Sequence, residues 1–109
     1  MKRFAVLALV IAAIPAVAAA GEIYGTITEQ GKPVKDGLAV TISCGEKTVK
    51  GATDKNGAYR LFAEEEGKCT LTVKVGEETP STVVHSFSDS ARYNLILEKK
   101  DGKYILRSE

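Results

Sequence analysis

Beyond its first twenty residues the chain alternates. Ile23, Gly25 and Ile27 interleave with Tyr24, Thr26 and Thr28, which predicts a first strand over residues 22–29 with one apolar face. Leu38, Val40, Ile42 and Cys44 share a face of the next strand, and Ala39, Thr41 and Ser43 share the other. Residues 48–53 are more polar and suit a strand near a sheet edge. Further strands are predicted over 58–63, 69–75, 82–88, 92–98 and 103–107. In these, Cys69, Leu71, Val73 and Val75 form one row, Val83, His85 and Phe87 a second, and Tyr93, Leu95 and Leu97 a third. Gly31-Lys32-Pro33, Asp36-Gly37, Gly45-Glu46-Lys47, Gly76 to Pro80 and Asp101-Gly102 punctuate the runs as turns. No segment keeps a 3.6-residue apolar period. Many short strands between turns predict a sandwich or a barrel.

The stretch Thr53-Asp54-Lys55-Asn56-Gly57-Ala58-Tyr59 organises the rest. Asp54 and Asn56 can bond their own backbone, Gly57 tolerates positive φ, and a β-run lies on each side, so it predicts a tight hairpin. The same residues resemble the start of a calcium loop, but the further acidic ligands of such a loop are missing, which leaves a structural turn.

Residues 1–20 read as an address. Lys2 and Arg3 precede an uncharged apolar run from Phe4 to Ala13, Pro15 breaks it, and Ala18-Ala19-Ala20 supplies a small-residue cleavage pattern, so a secretory signal peptide is expected with cleavage after Ala20. No later stretch is apolar enough to span a bilayer. Residues 21–109 then form a single domain, periplasmic or extracellular. Taking Lys2 and Arg3 from the 15 basic residues leaves one fewer than the 14 acidic ones, and such balance argues against nucleic-acid binding. In an exported chain the two cysteines are expected to pair. Cys44 is in phase with Val40 and Ile42, and Cys69 with Leu71 and Val73, so both thiols point to the apolar side. The bridge would close a loop of about 25 residues, worth roughly 3–4 kcal/mol in the chain-entropy model.

The order Gly25-Thr26-Ile27, Gly31-Lys32-Pro33-Val34, Gly37-Leu38-Ala39-Val40, Thr53-Asp54-Lys55-Asn56-Gly57-Ala58-Tyr59 and Thr70-Leu71-Thr72-Val73 resembles the carboxypeptidase regulatory-like domain. That resemblance implies an all-β, transthyretin-like Greek-key β-sandwich of about seven antiparallel strands. It implies an accessory or interaction module, and brings no catalytic residue. Asp89-Ser90-Ala91-Arg92-Tyr93 resembles the tyrosine corner of immunoglobulin-like domains, in which a Tyr hydroxyl bonds upstream backbone. Leu95 stands where that family has Cys and the chain has no Trp, so Asp89 and Tyr93 are expected to be structural. Relatives with an isopeptide bond join a first-strand Lys to a late Asn. Asn94 is present, but residues 22–28 hold no Lys, and no such bond is expected.

Chemistry is sparse. His85, the single histidine, makes a poor metal site alone, and its parity with Val83 and Phe87 suggests partial cover. His85 and Ser86 point to opposite strand faces, which removes them as a local catalytic pair. Transthyretin-like hydrolases use several His and a Tyr-Arg-Gly-Ser ending, both missing here. Glu64-Glu65-Glu66 reads as a solvated loop. The expectation is a non-catalytic module with no cofactor and no bound metal, for a protein or glycan partner. An apolar exposed strand edge would favour a protein bound by strand addition. Exposed tyrosines gathered on one face would favour a glycan, with Tyr24 the best candidate because it is out of phase with Ile23 and Ile27.

Overall fold

Ile23, Gly25 and Ile27 all fall on the buried side of the first strand, and that strand becomes the spine of one of two sheets. The computed structural model describes residues 21–109; the expected leader, residues 1–20, lies outside the described residues. Ten strands form within them and no helix: β1 Glu22–Glu29, β2 Lys32–Pro33, β3 Ala39–Cys44, β4 Lys47–Ala52, β5 Ala58–Phe62, β6 Gly67–Val73, β7 Ser81–Ser86, β8 Ala91–Arg92, β9 Leu95–Lys100 and β10 Lys103–Ser108. The fold is an all-β sandwich.

In the first sheet β1 has different neighbours along its two halves. On one side β5 pairs antiparallel with its first half, from Glu22↔Phe62 to Thr26↔Ala58, and β2 with its end. On the other side lie β8, with Ile23↔Ala91, and β9, with Ile27↔Leu95. Both of these pairings are parallel, which departs from the all-antiparallel expectation. β10 closes this sheet antiparallel to β9 through the Asp101-Gly102 turn, whose two residues have φ of 53° and 82° and so make the primed turn that suits a hairpin.

β8 and β9 keep one register against β1 but are interrupted at Tyr93-Asn94, so the single strand expected over 92–98 is two. The cause is tertiary. The Tyr93 N–H still donates to the Tyr24 carbonyl (2.8 Å). The Tyr93 carbonyl instead accepts from the buried Tyr59 hydroxyl (2.6 Å), and Asn94 Oδ1 accepts from the Thr26 N–H and hydroxyl at 3.2 and 3.3 Å. Gly25 makes room for this crossing, because a Cβ there would collide with the Tyr93 carbonyl.

The second sheet has the order β4-β3-β6-β7, antiparallel throughout. Val40, Ile42, Leu71, Val73 and Val84 point inward from it and meet Ile23, Ile27, Leu61, Leu95 and Leu97 from the first sheet. Cys44 stands directly opposite Cys69, and the two form a disulfide, as their shared inward parity predicted. Their Cα atoms are 4.4 Å apart, the spacing of a non-hydrogen-bonded antiparallel pair.

Two further expectations need correction. The Asp54–Gly57 turn does not close a hairpin: β4 belongs to the second sheet and β5 to the first, so the turn carries the chain across the sandwich. Its geometry still depends on the residues named. The Gly57 N–H donates to the Asp54 carbonyl (3.0 Å), and Gly57 has φ of 74°. Asn56, however, is not at positive φ. The second correction concerns β7. Val84 and Ser86 are the buried residues, while Val83, His85 and Phe87 face solvent. Ser86 and Val84 occupy the inward phase because the β6 register places Cys69 opposite Val84.

Candidate functional site

Among the described residues β7 is an edge strand that pairs with β6 alone, with β10 of the other sheet packed close beside it, and its six residues carry no fixed charge. Edge strands are commonly protected by lysines or by cover. Here the protection is partial. The Tyr93 hydroxyl accepts from the His85 N–H (3.0 Å) and donates to the His85 carbonyl (3.2 Å), and the Gly21 N–H donates to the Phe87 carbonyl (2.6 Å). Because His85 points its backbone groups away from β6, the alternation of an antiparallel ladder points those of Val83 and Ser81 the same way. No hydrogen bond reaches them from another strand among the described residues. On the outer face of this rim Val83 is 47% exposed and Phe87 54%, with the His85 and Phe87 rings stacked at 6.4 Å between centroids. An apolar strip therefore lies along a strand whose first half, among the described residues, has unpaired outward backbone.

A second surface lies on the outer face of the first sheet. Tyr24 is half-buried there and is flanked in register by Arg60 on β5 and Arg92 on β8. The Arg92 guanidinium leans over the Tyr24 ring, 5.9 Å from its centroid, within cation–π range. Arg60 pairs through Nε with Glu22, whose other oxygen accepts from the Ser90 hydroxyl (3.0 Å). Asp54 lines the same shallow groove of about 440 Å³. Its Oδ1 accepts from the Asn56 and Ala58 N–H groups at 2.8 and 3.0 Å, and these bonds, Ala58 first, hold its carboxyl below the usual carboxylate range.

Cys44 and Cys69 are buried on the inner face of the second sheet, Cys69 directly opposite Val84 of β7. Asp89 sits in the exposed loop between β7 and β8, and its carbonyl lies against Gly21. Burial, and secondarily the nearby Tyr93 phenol, pushes the Tyr59 hydroxyl's pKa up, so it stays a donor to the Tyr93 carbonyl. His85 and Ser86 face opposite sides, Ser86 at 1% exposure. Among the described residues no group of three His, Cys, Asp or Glu side chains could hold a metal ion. The four tyrosines are not gathered on one face: Tyr59 is buried, Tyr93 and Tyr104 pack against the core, and Tyr24 stands by itself on the outside. Arg60 and Arg92 went unread in the sequence because only the registers of three separate strands bring them beside Tyr24.

No family model matches the chain, and no curated protein matches it in sequence. Solved structures do. A DUF3823 family protein from Parabacteroides merdae aligns with a TM-score of 0.57 at 16% identity, over 72% of this chain and 46% of its own. A "putative carbohydrate binding protein" from Bacteroides uniformis aligns with a TM-score of 0.54 at 15% identity, over 84% of this chain and 54% of its own. The chain spans about half the length of these structures, and at such identity the likeness is one of fold, a β-sandwich.

Proposed function

We propose that the chain is an exported, non-catalytic β-sandwich module that binds a protein partner along β7. The observation that carries this is the exposed apolar strip Val83 to Phe87 on an edge strand whose Ser81 and Val83 backbone groups are unpaired among the described residues. An extended apolar segment of a partner would add its backbone at Ser81–Val83 and bury its side chains against Val83 and Phe87. The disulfide and the leader expected over residues 1–20 support an oxidising compartment, periplasmic or extracellular, with residues 21–109 as the mature domain. The resemblance to carboxypeptidase regulatory-like domains agrees with an accessory role. The test is a pull-down from the native envelope fraction with the oxidised protein, its Val83→Lys variant and its Arg92→Gln variant. A partner held by the wild type and by Arg92→Gln, but released by Val83→Lys, is the expected result; equal capture by all three would overturn the β7 assignment.

A second reading has its own support. The Bacteroides uniformis structure is described as carbohydrate binding, and Tyr24 with its flanking arginines offers a saccharide a floor and donors. On this reading the groove of the first sheet, rather than the β7 rim, is the site.

A further inference from the structure

We infer that the cross-strand row Arg60–Tyr24–Arg92 is a binding site for an anionic saccharide, a sugar bearing a carboxylate or sulfate group. The inference rests on the second reading above and names the ligand class for that groove. Three strands place the residues in line, so the two arginine backbones stand about 10 Å apart, two strand spacings, with the tyrosine between them. Arg60 is held in place by Glu22. Arg92 is exposed and has no carboxylate partner among the described residues. Its guanidinium lies 5.9 Å from the Tyr24 ring centroid and presents N–H groups of the kind that grip a carboxylate or sulfate. The half-buried ring offers apolar surface to a sugar where the guanidinium does not cover it. Asp54 commits only Oδ1 to its turn, which leaves Oδ2 to accept from a sugar hydroxyl at the far end of the groove. A groove of about 440 Å³ falls in the size range of small-ligand sites.

Titration calorimetry of the purified oxidised protein tests this with four probes: oligogalacturonate, a carrageenan oligosaccharide (sulfated galactose without uronate), a neutral cello-oligosaccharide and a polyglutamate peptide. Binding is expected for the uronate or the sulfated sugar, and which of the two binds identifies the acid group. Arg92→Gln should weaken it about tenfold or more, the size of one lost charge-assisted contact. Arg92 is exposed, so an unchanged melting midpoint is expected for that variant, and Val83→Lys should bind the sugar as the wild type does. Binding of the neutral sugar alone would leave the second reading standing and overturn the anionic ligand. No saccharide binding would overturn both. Equal affinity for polyglutamate, or no effect of Arg92→Gln, would also overturn the assignment.

Discussion

Gly57 shows how a single position can tie the two sheets together. Its carbonyl accepts from the Ile27 N–H (2.8 Å), so the turn that leaves the second sheet is bonded to the middle of the first. Its φ of 74° already disfavours a side chain, and a Cβ built there would lie 2.7 Å from the Ile27 carbonyl oxygen and 3.2 Å from Pro33 and from the Val34 nitrogen. Gly31 provides the control: its φ is 80°, yet a Cβ there meets open space. Gly31→Ala should therefore incur only the left-handed penalty, about 1–2 kcal/mol. Gly57→Ala incurs that and a backbone collision that cannot relax without breaking the Ile27 bond. Thermal melts should show Gly57→Ala lowered by roughly 10 °C or more, and clearly more than Gly31→Ala, given the usual scaling for a domain near this size. Equal midpoints would remove the close approach as the reason for glycine.

Among the strands, β7 is the one whose pattern misleads. Val83, His85 and Phe87 form the more apolar of its two rows, so alternation alone turns that row inward. The register with β6 puts Thr82, Val84 and Ser86 inward instead. An apolar outer row on an edge strand is a signal of contact, and it cannot be told from a core signal without the partner strand. Other strands were legible for the opposite reason. In β1, β3 and β6 one row is the more apolar and the other the more polar, so the burial of Ile23, Ile42 and Leu71 follows from parity. The break between β8 and β9 left no local mark, since it depends on Tyr59 and Gly25, more than thirty residues upstream. The Arg60–Tyr24–Arg92 row was hidden likewise, whereas the Asp54–Gly57 turn was visible in its residues though not in the sheets it joins. Tyr93 connects these elements, because its hydroxyl closes the end of the β7 edge. Tyr93→Phe keeps the ring and removes both bonds to His85. It should cost about 1 kcal/mol and speed amide exchange at His85 while leaving Val84, which faces β6, protected. Unchanged exchange at His85 would show that the hydroxyl does not guard that edge.

The sandwich as a whole is small, and a domain of this size folds with little free energy to spare. Its core draws on both sheets, but the disulfide lies within one, between β3 and β6, the two central strands of the second sheet. Those strands pair in the folded state whether or not they are bridged, so the bond adds few native contacts. Its main effect falls on the unfolded chain, in which it closes a loop across a sequence separation of 25 residues. The chain-entropy model gives roughly 3.5 kcal/mol for that closure. Replacing both cysteines with Ala also leaves a small void, since Cys44 and Cys69 are 3% and 1% exposed, which adds to the loss. Urea titration of the wild type and of the double variant Cys44→Ala/Cys69→Ala should show the midpoint fall. The slope should rise, because the unbridged unfolded chain exposes more surface. A stability loss of about 3–4 kcal/mol with a steeper slope is the expected outcome. A loss with an unchanged slope would place the stabilisation in the folded sheet instead, and a loss under about 1 kcal/mol would mean that β3 and β6 are held by their ladder and the core side chains alone. The predicted size is a large share of a typical domain's whole stability, so loss of the bond would bring the fold close to unfolding.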